Sequence, residues 1–120
     1  MKLSLVTWDG DLTQFLVKAD NDTEAIKKSI DANEKYNEDN WGKRDPDDEE
    51  DAIFLEDMHD PSTYSVDPVD FKLLDEIIKY RDDYVGMYGE AIVFFGAWIN
   101  DDIGIKTIWL IKGRWLNEST

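Results

Sequence analysis

The stretch KLSLVTWDGDLTQFLVKA at positions 2–19 decides the fold of this chain. In an extended backbone, Leu3 and Leu5 share one side while other apolar residues occupy the opposite side. Asp9-Gly10, in the middle of the stretch, is typical of a two-residue turn that needs positive φ. The stretch therefore predicts an antiparallel β-hairpin onto which the remaining elements must pack.

A helix is predicted directly after the hairpin. Asn21 is followed three residues later by Glu24, which is the spacing of a capping box at a helix N-terminus. The apolar stripe of this helix is thin, because it consists of Ala25 and two isoleucines. Such a stripe covers the margin of a sheet, and we expect the helix to end near Asn33 or Tyr36.

Polar residues dominate the centre of the chain. Residues 37–51 contain eight acids and a single aromatic residue, Trp41. We expect a loop there, because the segment buries too little to offset its ordering entropy. The apolar run at 52–55 is assigned to a short strand, although a helical turn also fits it, and residues 56–67 are acidic again.

Regular patterns return in the second half of the chain. Asp67 suits a helix N-cap and Pro68 its first turn, and apolar residues follow at helical spacing to about Tyr84. The run at 90–99 is almost entirely apolar, which indicates a strand buried on both faces. Residues 105–116 alternate in polarity, as expected for its antiparallel partner.

These elements predict a single α+β domain over residues 1–120, in the order β-β-α-(acidic loop)-β-α-β-β. The antiparallel sheet is built from the N- and C-terminal hairpins, and the two helices pack on one of its faces. With 120 residues, including five Trp, five Tyr and five Phe, the chain has enough apolar surface for a core without covalent staples.

Composition excludes several classes of function. The chain contains no cysteine, so disulfides, thiolate zinc sites and cysteine nucleophiles are excluded. The apolar run at the N-terminus is too short for a signal peptide, and no other run reaches membrane-spanning length. We therefore expect a cytoplasmic protein with no membrane partner.

Catalytic and metal-binding patterns are weak. His59 is the single histidine, and its neighbours are typical of a solvated loop. No Gly-x-Ser-x-Gly elbow or glycine-rich phosphate loop is present. Acids between Asp45 and Glu56 follow an EF-hand register, but Glu50 stands where that loop requires glycine. We expect no catalysis, no cofactor and no specific metal site, with a small carboxylate- or metal-dependent enzyme as one alternative.

The formal net charge of −15 is concentrated in one segment. Residues 20–83 hold 22 acidic and 8 basic residues, a net charge of −14, whereas both ends of the chain are nearly neutral. Such a field repels nucleic-acid phosphates and attracts basic proteins. Solubility alone is the competing explanation, but it does not require the charge to be partitioned in this way.

A second segment of the chain is an alternative candidate for the interaction surface. The apolar segment 90–116, with Trp98, Trp109 and Trp115, would serve an interaction subunit of a larger complex or a homodimer. Basic residues on its last strand are ordinary for an exposed sheet face, so direct nucleic-acid binding is not expected.

In size and acidity the chain resembles the inhibitors that phages and mobile elements direct against restriction and CRISPR nucleases. It is also similar in style to bacterial immunity proteins that neutralise basic nuclease toxins. The resemblance implies an inhibitor that occupies a basic surface of a nucleic-acid-handling protein, and carboxylates displayed on one face can imitate the phosphates of DNA. From the aromatic residues that lie among the acids we select Trp41 and Tyr64 as candidate anchors. The predicted partner-binding residues are Trp41, Asp45, Asp47, Asp48, Glu49, Glu50, Asp51, Glu56, Asp57, Asp60 and Tyr64.

Overall fold

The computed structural model describes residues 2–69 and 84–94. Its elements are the strands β1 (Lys2–Trp8) and β2 (Gln14–Ala19), the helices α1 (Asp22–Trp41) and α2 (Glu49–His59), a 3-10 turn (Pro61–Thr63), and the strands β3 (Tyr64–Val69), β4 (Tyr84–Tyr88) and β5 (Ala91–Phe94). These five strands form one antiparallel sheet in the order β3-β1-β2-β5-β4. The predicted α+β class is therefore confirmed.

The N-terminal hairpin is confirmed, and β1 is flanked by β2 and β3. Its turn is longer than the two residues predicted, because β1 ends at Trp8 and β2 begins at Gln14. Positive φ falls at Leu12, at 64°, and the Leu12 N–H donates to the Trp8 carbonyl at 2.9 Å. Gly10 is needed for space, since a Cβ at this position would overlap the Trp8 indole.

Both faces of the sheet are buried, which explains why apolar residues in β1 do not simply alternate with polar ones. One face, formed by Val6, Trp8, Phe15, Val17 and Val93 among others, packs under the helices. The second face carries a separate buried cluster of Leu3, Leu5, Leu16, Val69 and Phe94. The strand β5 is thus buried on both faces over the part of 90–99 that the structure describes.

The helix α1 begins as predicted and ends later. The Asn21 side chain accepts a hydrogen bond from the Glu24 N–H at 2.9 Å, and Glu24 accepts one from the Asp20 N–H at 3.0 Å. The helix then continues to Trp41, so the predicted end near Asn33 or Tyr36 is wrong. Asparagine is disfavoured in helix interiors because its side chain competes for backbone groups, but here tertiary contacts satisfy it.

The acidic loop predicted over residues 37–51 is confirmed only at 42–48, and the predicted strand at 52–55 is wrong. Residues 37–41 belong to α1, and α2 starts at Glu49 with Asp48 as its N-cap. The Asp48 carboxylate accepts a hydrogen bond from the Glu50 N–H at 3.1 Å, and the acids of the first turn favour the positive end of the helix dipole. Three apolar residues facing inwards are enough to dock this helix, namely Phe54, Leu55 and Met58.

The helix start predicted at Asp67 and Pro68 is also wrong, because both residues lie in β3. A proline is tolerated there since β3 is the outermost strand on its side of the described sheet. The remainder of that predicted helix falls in 70–83, which lies outside the described residues. The predicted strand at 105–116 and the C-terminal hairpin lie outside them as well.

Two helices do pack on one face of the sheet, although α2 is not the second helix that the sequence predicted. Among the residues that the structure describes, no helix is long and apolar enough to cross a membrane.

Candidate interaction surface

Residues 42–60, which we call the acidic unit, comprise the connection after α1 and the whole of α2. The unit contains nine acidic residues and only two basic ones, Lys43 and Arg44. It therefore gathers much of the charge of the acidic segment into a short helical structure rather than a mobile loop.

Four of its acids organise the backbone of the unit. Asp51 accepts a hydrogen bond from the Asp45 N–H at 3.0 Å and pairs with Arg44 at 3.3 Å, and these two contacts lower the pKa of its carboxyl. Asp45 in turn accepts one from the Asp47 N–H at 2.9 Å. Asp48 caps α2, and Asp60 caps the 3-10 turn that follows.

Arg44 fastens the connecting segment to α2. Its guanidinium carbon lies 3.8 Å from the centroid of the Phe54 ring, a cation–π contact, while its Nη1 pairs with Asp51. Phe54 meets the buried Trp8 ring edge to face at 5.4 Å. A continuous chain of contacts therefore runs from the connecting segment through α2 to the core of the sheet.

Five other acids of the unit have exposed side chains that make no hydrogen bond or ion pair within the described part of the chain. They are Asp47, Glu49, Glu50, Glu56 and Asp57. Among the residues that the structure describes, no cation neutralises these carboxylates at short range, which leaves their charge available to a partner.

Of the two predicted aromatic anchors, one is exposed and the other is buried. Trp41 is 52% exposed at the end of α1 and meets Tyr36 edge to face at 5.4 Å, so it stays a candidate contact residue. Tyr64 is only 6% exposed, so it is too deeply buried to contact a partner.

Tyr64 has a positioning role instead. Its hydroxyl donates to the Met58 carbonyl at 2.6 Å and accepts from Asn33 Nδ2 at 3.0 Å. Burial is the main cause that raises the pKa of this phenol. Because Tyr64 begins β3, Asn33 lies in α1 and Met58 lies in α2, one buried hydroxyl ties the acidic helix to both the other helix and the sheet.

Ile53 is the residue of this surface that sequence reasoning missed. It lies on α2, about one helical turn from each of the exposed acids of that helix, and the residue is 56% exposed. A helical rather than a strand assignment for 52–55 would have indicated it, since Phe54, Leu55 and Met58 then define the inward stripe and leave Ile53 outside.

His59 is the last residue of α2 and does not lie in a loop, and its Nε2 is 3.6 Å from a Glu34 carboxylate oxygen. The residues from Asp45 to Glu56 that match an EF-hand register mostly form α2. Within the described ranges, no group of three or more acidic or histidine side chains could hold a metal ion.

The competing apolar segment 90–116 is described only as far as Phe94, so Trp98, Trp109 and Trp115 lie outside the described residues. Comparison of the chain with protein-family models, curated proteins and solved structures finds no match.

Proposed function

We propose that this protein is a non-catalytic acidic inhibitor that occupies a basic surface of a nucleic-acid-handling protein, in the manner of a DNA mimic acting in the cytoplasm. The observation that carries the proposal is the set of five exposed carboxylates on the acidic unit, four of them on α2, that have no partner among residues 2–69 and 84–94. The four on α2 are held on a helix that is fixed to the core through Phe54 and Met58.

The charge density of α2 supports imitation of a phosphate backbone. The helix has 11 residues, so its length is about 16 Å at the usual rise per residue. Besides Asp51, which pairs with Arg44, it carries four carboxylates, which is roughly one for every 4 Å of axis. A single strand of B-DNA carries one phosphate for about every 3.4 Å of axis. A groove that binds one DNA strand would therefore meet a similar linear charge density on this helix.

Long-range attraction follows from the same arrangement. A net charge of −15 on 120 residues produces a field that accelerates encounter with a basic partner, and added salt weakens that field. We expect fast association whose rate falls steeply between low and physiological ionic strength.

Two matched variants test the proposal, each of which removes four negative charges. The first is Glu49→Gln, Glu50→Gln, Glu56→Gln and Asp57→Asn on α2; the second is Asp9→Asn, Asp22→Asn, Asp31→Asn and Asp67→Asn at exposed positions elsewhere. The probe is a panel of purified basic restriction and CRISPR nucleases, with DNA cleavage and the dissociation constant as readouts.

We expect wild type to inhibit at least one nuclease of the panel and the α2 variant, which loses four charge pairs, to bind it about 4- to 700-fold more weakly. This range follows from about 0.2–1 kcal/mol for each charge pair at an interface rim. The second variant should lose much less, because it changes net charge without touching α2. Equal losses for both variants, or no binding by wild type to any nuclease of the panel, would contradict the proposal.

A further inference from the structure

The outward face of α2 has an apolar centre. Ile53 projects from this face with 56% of its side chain exposed, although the other large apolar residues of the helix, Phe54, Leu55 and Met58, pack towards the core. Ile53 belongs to neither buried cluster of the described residues, and as a β-branched residue it is not a strong helix former. Packing of the core clusters therefore does not account for an isoleucine at this position.

The neighbours of Ile53 on the helix surface are all acidic. Positions three and four residues away on either side are the nearest neighbours on a helix face. For Ile53 these positions are Glu49, Glu50, Glu56 and Asp57, and all four are exposed. One apolar side chain is thus ringed by four carboxylates.

This arrangement matches a common pattern at protein interfaces, in which an apolar anchor enters a dry pocket and polar groups surround it. The ring of carboxylates selects the partner by charge complementarity. It disfavours a second copy of this chain, whose own acids would be repelled, and it disfavours anionic lipid surfaces. A partner that offered phosphate-binding lysines alone would leave Ile53 without a contact.

We infer that α2 docks with its outward face against a protein surface that has an apolar pocket bordered by Lys and Arg, and that Ile53 enters this pocket. The inference rests on the proposed function and deepens it, because it names the feature that the basic partner must have besides charge. Binding would then be partly resistant to salt, since the contact of Ile53 does not depend on Coulomb attraction.

The test uses the full chain and two synthetic helical peptides of equal length and equal positive charge. One peptide presents lysines around a stripe of leucines, and in the other the leucines are replaced by serines. The protein variants are Ile53→Ser and, as the matched control, Met87→Ser on β4, where the methionine is 67% exposed. Titration calorimetry at about 0.1 M and 0.5 M salt, where charge screening differs strongly, gives the dissociation constants.

We expect wild type and Met87→Ser to bind the leucine peptide at least tenfold more tightly than the serine peptide, and to keep this preference at the higher salt. Ile53→Ser should bind the two peptides equally while its affinity for the serine peptide stays unchanged. A preference retained by Ile53→Ser would overturn the inference, whereas undiminished binding of both peptides by the four-charge α2 variant would overturn the proposed function instead.

Two further arms address other occupants of this face. Sedimentation velocity of the protein alone should show no self-association that Ile53→Ser abolishes, and phosphatidylcholine vesicles should not retain wild type more than Ile53→Ser. A positive result in either arm would assign the face to a second copy or to a membrane and would overturn the inference.

Discussion

Replacement of Tyr64 by phenylalanine should loosen the attachment of the acidic helix while leaving the packing of the ring intact. The substitution removes only the hydroxyl that donates to the Met58 carbonyl and accepts from Asn33 Nδ2. Asn33 is fully buried, so its amide cannot turn to water as a replacement partner. We expect Tyr64→Phe to lower the free energy of unfolding of the domain.

The magnitude follows from the two lost hydrogen bonds. Each intramolecular hydrogen bond contributes about 0.5–1.5 kcal/mol, and two buried partners left unsatisfied place the total at about 1–3 kcal/mol. For a domain of this size 1 kcal/mol corresponds to roughly 3–5 °C in Tm, so the expected decrease is about 3–15 °C. Urea denaturation followed by circular dichroism measures the free energy, and a thermal scan measures Tm.

The control for this prediction is Tyr88→Phe, which removes the same atom from a different environment. The Tyr88 hydroxyl bonds an exposed carboxylate of Asp39 at 2.8 Å, and water can replace this partner. We expect a loss below about 0.5 kcal/mol there. If the two variants differ by less than about 0.5 kcal/mol, the buried hydroxyl does not hold α2 as we argue.

Two other substitutions have outcomes that can be checked in the same assays. Gly10→Ala should destabilise the N-terminal hairpin by about 1–3 kcal/mol, because the added Cβ would overlap the Trp8 indole, and an unchanged Tm would contradict the described turn. Asp51→Asn should lower stability at pH 7 and much less at about pH 2.5. The direction of this pH dependence follows from the lowered pKa of the Asp51 carboxyl in the folded protein. The stabilisation by the ionised carboxylate is fully present above the unfolded-state pKa of about 3.9, and it is lost as the pH falls through the folded-state pKa. A loss that is the same at both pH values would show that the charge of Asp51 has no part in holding Arg44 and the Asp45 backbone.

The hairpin, the start of α1 and the α+β class could be predicted because each depends on neighbours in sequence. The end of α1 could not, since Asn33 and Asn37 become compatible with a helix interior only through tertiary partners. Asn33 donates to the Tyr64 hydroxyl, and Asn37 donates to the Met58 sulfur on α2 at 3.8 Å. The Tyr64 contact joins residues 31 positions apart, which no local pattern indicates.

The prediction of a helix start at Asp67-Pro68 is wrong for a different reason, because this local pattern is compatible with two structures. An acid followed by proline starts many helices, and the same pair is tolerated in an outer strand whose free side needs no N–H donor. Only the pairing of β3 with β1, where Pro68 lies opposite Ser4, distinguishes the two.

The concentration of acids in this part of the chain is evident from the sequence alone, but the exposure of Ile53 is not. Which side of α2 faces outwards depends on how Phe54 and Met58 dock against Trp8 and α1. This docking buries Tyr64 and exposes Ile53. A choice of contact residues by aromatic character alone favours Tyr64, whereas exposure favours Ile53.

The helical form of the acidic unit changes the energetic argument for binding. A mobile acidic loop would lose conformational entropy on binding, at about 1–2 kcal/mol for each backbone residue that becomes ordered. In α2 that entropy is already lost on folding, and contacts such as those of Arg44 with Phe54 and Asp51 extend the order to the connecting segment. The concentration of like charge on this helix is itself unfavourable for the fold, and a net charge of magnitude about 2–8, spread over a surface of mixed sign, is enough to keep a small domain in solution. A rigid helix that bears this repulsion is better explained by a cationic partner than by solvation, and that partner would offset the repulsion on binding.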